Sequence, residues 1–136
     1  MSREIKFRIW RAPDEYSKTF WMESWDSLMN YSMSDIFQLD NPDDVLEQYT
    51  GLKDTSSKEI YEGDILHFGS VWCVGDEYDP REEDHTGLVE YRPDYASYVV
   101  NCNGKIYPLE QVISFDGYSV QGNVHENPEL LEADNV

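Results

Sequence analysis

The sequence predicts a mainly β protein built around a small antiparallel barrel, with an added N-terminal hairpin and a short helical turn near the C-terminus. Three observations predict it. Apolar residues recur at period two over short runs, and turn-forming residues separate those runs at close spacing. The crossover helices of about 10 to 15 residues that a parallel sheet would need are missing.

Residues 3–11 read as the first strand, because Ile5, Phe7 and Ile9 alternate with Lys6 and Arg8. The segment APDEYSK at 12–18 suits a connecting turn, and TFWMESW supplies the second strand of a hairpin with Trp10 and Trp21 near its ends. Between 26 and 44 the apolar residues Leu28, Met29, Met33, Ile36 and Phe37 are interrupted by Asp, Ser and Asn, and no element is assigned. Asn41-Pro42-Asp43-Asp44 suits either a helix start, with Asn41 as cap, or a turn into a strand VLEQYT at 45–50. The strand is preferred because Gly51 ends the run so soon.

From Gly51 the punctuation sharpens. A polar turn at 54–58 precedes a short apolar return at Ile60 and Tyr61, then a tight turn at Glu62-Gly63-Asp64. Gly63 accommodates a costly backbone angle, and Asp64 can accept hydrogen bonds from turn amides. ILHFGSVWCV reads as strand, interrupted at Gly69-Ser70. DEYDPREED at 76–84 has no apolar periodicity and reads as an exposed loop. GLVEY and YASYVVNC return to strand character, and Asn103-Gly104 is the strongest turn signal, a two-residue hairpin between VVNC and KIYP. Pro108 to Gln111 suits a helical turn before a strand VISF, Asp116-Gly117 turns the chain into YSVQG, and a last helical turn follows Asn127-Pro128 before an acidic tail.

Composition bounds the function. The chain has 136 residues, enough for one core and short for two ordinary domains. Its aromatic content of 14% separates it from disordered acidic tails. With 28 acidic and 10 basic residues the formal net charge is -18, which opposes direct, nonspecific binding to nucleic acid or to an anionic membrane. Five of the basic residues, Arg3, Lys6, Arg8, Arg11 and Lys18, lie in the first eighteen positions, and Lys6, Arg8 and Arg11 near Trp10 suit a local basic strip on the hairpin. No secretion-signal pattern opens the chain and no run approaches the roughly 20 apolar residues of a spanning helix, so a cytoplasmic protein is expected. Cys73 and Cys102, without CxxC spacing, are expected as buried reduced thiols.

Three blocks resemble the YopX-like proteins of bacteriophages and prophages. REIKFRIW resembles the opening strand of that family, QYTGLKDTSSKEIYEGDI at 48–65 its most recognisable block, and VQGNVHENPELLE at 120–132 its terminal signature. Where relatives commonly place Asn-Gly in the central block, this chain has Thr55-Ser56-Ser57 between Asp54 and Lys58. The resemblance implies an SH3-like small barrel and a single domain over 1–136, with N-terminal elements at 1–50 and a barrel-like core at 51–126. It implies no catalytic residues. It also implies a phage or prophage origin, and hence the cytoplasm of the bacterial host.

The residues nominate no catalytic, cofactor-binding or metal site. Gly51, Gly63 and Gly69 lack the spacing of a phosphate-binding loop. Asp76, Glu77, Asp79, Glu82, Glu83, Asp84 and His85 offer oxygens and one imidazole, without the ligand order of a calcium loop or a zinc site. Cys73, Cys102, His67, His85 and His125 make a thiol–imidazole pair only if the fold juxtaposes them. The expectation is therefore a non-enzymatic phage or prophage accessory protein without cofactor, binding an unidentified phage or host protein, with an exposed Trp or Tyr as anchor. The alternative is an acidic nucleic-acid mimic that blocks a host DNA-binding protein. Helix-turn-helix, zinc-finger and RNP patterns are missing, so direct nucleic-acid binding is disfavoured.

Overall fold

The computed structural model describes residues 4–15, 17–32, 35, 39, 41–73, 80–113 and 117–132; for 70–73 and 80–83 the backbone alone is described. The chain divides into two compact units, Met1–Gly51 and Leu52–Val136.

In the first unit, β1 (Phe7–Arg11) pairs antiparallel with β2 (Trp21–Glu23) on one side and with β3 (Val45–Lys53) on the other. The expected hairpin is present, with Ile9 opposite Glu23 and Arg11 opposite Trp21. Its strands are shorter than the apolar alternation suggested. Ile5 precedes β1 and is exposed, and the chain leaves β2 at Ser24 for a single helical turn, α1 (Trp25–Leu28). The Ser24 hydroxyl caps that turn by accepting from the Ser27 amide at 3.3 Å. Buried Ile9 and Leu28, with Trp25 and Leu46 packed on them, form the core of this unit. Asn41 makes a turn rather than a helix cap: its side chain accepts from the Asp43 amide at 3.0 Å, and β3 starts at Val45. Gly51 does not end that strand. It takes φ +89° inside β3, which runs on to Lys53 and so into the second unit.

In the second unit the end of β3 turns at Asp54–Lys58 into β4 (Glu59–Tyr61). Five further strands follow: β5 (Asp64–Cys73), β6 (Pro80–Arg92), β7 (Ser97–Cys102), β8 (Lys105–Pro108) and β9 (Ser119–Asn123). They make one antiparallel sheet in the order β8-β7-β6-β5-β9. Among the described residues β8 and β9 are its two edges, so the sheet is open where a closed barrel was expected. Helix α2 (Leu109–Val112) and residues of β4 cover one face, burying Ile60, Leu66, Phe68, Val89, Val100, Leu109 and Val112 together. The terminal turn α3 (Glu129–Glu132) packs against β6.

Two expectations for this sheet are overturned. β5 runs without a break through Gly69-Ser70, opposite Asp84 and Glu83 of β6. Residues 80–84, expected in an exposed loop, therefore belong to β6; those at 76–79 lie outside the described residues. A strand recruited by its partner's backbone needs no apolar alternation of its own, and the Asp84 side chain is indeed largely exposed. Val112 ends α2 and Ile113 caps it, so the expected strand VISF begins as helix; its last two residues, the residue before Gly117 and the acidic tail lie outside the described residues. The Asn103-Gly104 hairpin is present, with both residues at positive φ, +56° and +95°. Gly87 marks a close approach: a Cβ there would lie 2.6 Å from Cys102 Sγ and 2.8 Å from the Asn101 carbonyl oxygen.

The Glu62-Gly63-Asp64 turn is bonded on both sides. Gly63 donates to the Val89 carbonyl at 2.9 Å and accepts from the Val124 amide at 2.8 Å, while buried Asp64 accepts from the Tyr61 amide at 2.8 Å. Gly63 sits at φ +86°, where a β-branched side chain is strained. Gly63→Val is expected to cost about 1 to 3 kcal/mol in thermal or urea denaturation; unchanged stability would show that the turn tolerates a Cβ.

Candidate interaction site

The first unit builds a cleft of about 690 Å³ beside its hairpin. Its floor is a closed polar network. Glu23, 1% exposed, accepts from Arg11 Nε at 2.8 Å through one carboxylate oxygen; the other accepts from the Ser27 hydroxyl at 2.7 Å and the Tyr31 hydroxyl at 2.8 Å. Arg11 also donates to Asp44 at 3.3 Å, and the second oxygen of Asp44 accepts from the Ala12 amide at 2.7 Å. The local sequence explains this convergence. Arg11 and Glu23 lie diagonally on the hairpin, on the same face, and one turn of α1 brings Ser27 over the same carboxylate.

Burial pushes the Glu23 carboxyl up, but hydrogen bonds from Ser27, Arg11 and Tyr31 and the charge of Arg11 outweigh it and hold the group below the usual glutamate value. Donation to Glu23, with burial adding, raises the Tyr31 phenol above its usual value. Among the described residues no buried side-chain polar atom lacks a hydrogen-bond partner. The floor is therefore a rigid support, and the cleft's walls carry its exposed chemistry. Trp21 is 40% exposed and Tyr31 44%, and both line the cleft, together with Asp14, Asp35 and Pro42. On the other face of the hairpin, Phe20 stacks on Trp10 with ring centroids 5.8 Å apart and planes 10° apart. A smaller groove in the second unit, about 310 Å³, lies between β6, β7 and Leu131.

The structure redistributes the other candidate residues. The basic strip is consumed by carboxylates: Arg8 pairs with Glu47 at 2.8 Å across β1 and β3, Arg11 with Glu23 and Asp44, and Lys6 with Glu4 at 3.2 Å. Cys102 is only partly buried, packed at the edge of the second core; the Cys73 side chain lies outside the described residues. Buried His85 packs in a cluster of three rings, tilted against Phe68 and Tyr107 with centroids 5.1 and 5.0 Å away, while those two meet edge to face at 5.4 Å. His67 meets Thr86 at 3.1 Å on the opposite sheet face. Among the described residues no group of three or more His, Cys, Asp or Glu could hold a metal ion, and no helix is long and apolar enough to cross a membrane. Sequence reasoning missed the cleft because Glu23, Tyr31 and Asp44 carry no motif. The only signal was the opposite charges of Arg11 and Glu23 on two strands of one hairpin.

The two most recognisable sequence blocks prove to be architectural. Asp54 accepts from the amides of Ser56, Lys58 and Val120, at 2.9 Å each, and so joins the central block at 48–65 to β9. In the terminal block Asn123 accepts from the His125 and Glu126 amides, and the Asn127 side chain folds back on the Asn123 amide at 3.3 Å.

The molecule is thus a two-unit antiparallel β protein whose exposed aromatics and carboxylates meet in a hairpin-borne cleft. It belongs to the YopX protein family, whose profile matches residues 6–132. It is similar to the crystal structure of protein EF1440 from Enterococcus faecalis, at 28% identity and a TM-score of 0.51 over 96% of this chain and 99% of that one. No curated protein matches the chain.

Proposed function

We propose that this YopX-family protein is a non-enzymatic accessory protein of a phage or prophage, acting in the cytoplasm of its bacterial host by binding a phage or host protein through the first-unit cleft. The observation that carries the reading is the pairing of two exposed aromatics, Trp21 and Tyr31, with a floor immobilised by the Arg11–Glu23 network. Aromatic side chains on a rigid support lose little conformational freedom on binding and dominate interface energies. The mimic reading is less favoured because it needs carboxylates arrayed on an exposed face, whereas the side chains of Glu23, Asp44 and Glu47 are buried against Arg11 and Arg8.

Affinity capture from infected or lysogenic cells at moderate salt tests the reading. A partner held by the wild-type protein is expected to be lost with Trp21→Ser, with recovery falling by at least tenfold for a residue contributing about 2 kcal/mol or more. Equal recovery by a Trp21→Ser protein with wild-type circular dichroism would overturn the role of the cleft.

A further inference from the structure

We propose that Asn103 is a site of spontaneous deamidation whose rate Asn101 controls, by holding the backbone nitrogen that attacks. Asn103 is the only asparagine of the chain followed by glycine, and both residues are exposed at the tip of the β7–β8 hairpin. The reaction needs only water as co-reactant. The Gly104 backbone nitrogen attacks Cγ of the Asn103 side chain and gives up its proton as the N–Cγ bond forms. The Cγ–Nδ2 bond breaks, ammonia leaves with that proton, and a cyclic succinimide remains. Water then opens the ring at either carbonyl, giving aspartate or isoaspartate. Glycine favours the attack because no Cβ crowds its nitrogen.

The folded hairpin opposes this reaction in two ways. Asn101 Oδ1 accepts from the Gly104 amide at 2.8 Å, so the attacking nitrogen has its proton committed. Asn101 is itself fixed from the sheet, since its Nδ2 donates to Glu90 of β6 at 3.1 Å and Glu90 accepts from Arg92 at 3.1 Å. The second restraint is torsional. Asn103 and Gly104 hold φ at +56° and +95° in a two-residue turn closed by Cys102 opposite Lys105. Swinging the Gly104 nitrogen onto the Asn103 side chain abandons both the turn and the bond to Asn101, so the reaction proceeds through local opening of the tip. Its products alter the hairpin. Aspartate adds a carboxylate to the smaller groove, which Glu90 and Glu132 already line. Isoaspartate lengthens the main chain by a methylene, and so short a turn accommodates it only by disturbing the β7–β8 register.

The purified full chain is incubated at mildly alkaline pH, and conversion at residue 103 is followed by peptide mass spectrometry with fragmentation. The folded wild type is expected to react about tenfold or more slowly than the same chain in concentrated urea. Asn101→Ala is expected to react about fivefold faster than the folded wild type, the factor that corresponds to a net hydrogen-bond contribution of about 1 kcal/mol. Asn101→Asp/Glu90→Gln keeps an acceptor for Gly104 and reverses the donor and acceptor in the bond behind it, and its rate should return to within about twofold of wild type. Low urea, below the unfolding transition, separates release of the tip from loss of the fold: local opening leaves the Asn101→Ala rate unchanged there, whereas global unfolding makes it climb with urea. A climbing rate would overturn the control by Asn101, as would Asn101→Ala reacting at the wild-type rate or a swapped pair that stays as fast as Asn101→Ala. A folded wild type as reactive as the unfolded chain would overturn the restraint altogether.

Discussion

Asp54→Asn is expected to destabilise the second unit by about 1 to 3 kcal/mol, and Asp54→Ala by more, although neither touches the large apolar cluster. One carboxylate oxygen of Asp54 accepts from the Ser56 and Lys58 amides, closing its own turn, and the other accepts from the Val120 amide of β9. The same turn is tied to that region by Thr55, whose amide and hydroxyl both donate to the Tyr118 carbonyl, at 3.2 and 2.8 Å. Asparagine keeps one acceptor oxygen and so can preserve the local turn. Its amide nitrogen then faces the Val120 N–H, donor against donor, and the link to β9 fails selectively. Alanine loses all three bonds. Urea denaturation followed by far-ultraviolet circular dichroism measures the order wild type, Asn, Ala; equal stability of the three would show that Asp54 contributes nothing to the link.

The same carboxylate sets a pH dependence. Burial pushes Asp54 up, but the amides of Val120, Lys58 and Ser56 and the charge of Lys58 outweigh it, and the group lies below the usual aspartate value. As the pH falls the unfolded chain therefore takes up this proton first. The stabilisation is complete above the unfolded value of about 4 and is lost as the pH falls through the lower folded value. Asp54→Asn should lose less stability than the wild type over that acid range, while being the less stable protein at neutral pH.

Glu23→Ala is expected to be the more severe change, about 3 kcal/mol, and to fall on the first unit. It removes the acceptor of Arg11, Ser27 and Tyr31 at a position 1% exposed, leaving Arg11 only its longer contact to Asp44. The small core of Ile9 and Leu28 offers little reserve. Because a buried pair costs desolvation on both sides, Arg11→Met/Glu23→Leu should recover part of the loss. Three of the four tryptophans, Trp10, Trp21 and Trp25, lie in this unit, so tryptophan fluorescence during denaturation reports it. A double variant no more stable than Glu23→Ala would mean that the network stabilises through its hydrogen bonds to Ser27 and Tyr31 rather than through charge pairing.

By itself the sequence determined the features that depend on near neighbours. The hairpin of β1 and β2, the turns at 54–58, Gly63 and Asn103-Gly104, and the helical turns after Pro108 and Pro128 all follow from local torsional preference and side-chain capping. The recognisable blocks were legible for the same reason: Asp54, Asp64 and Asn123 satisfy backbone amides close to themselves in the chain. Features that depend on a distant partner were decided only by the tertiary structure. Residues 80–84 are strand because β5 supplies their hydrogen bonds, and the sheet stays open because, among the described residues, β8 and β9 are its edges. Arg8 and Arg11 do not form a basic strip because Glu47 and Asp44 meet them from β3 and the turn before it. The cleft needs residues from Arg11 to Asp44 to converge on one carboxylate. Local preference acts over a few residues, whereas hydrogen bonds and charge pairs act over a few ångströms whatever the separation along the chain, and only the folded chain says which groups are that close.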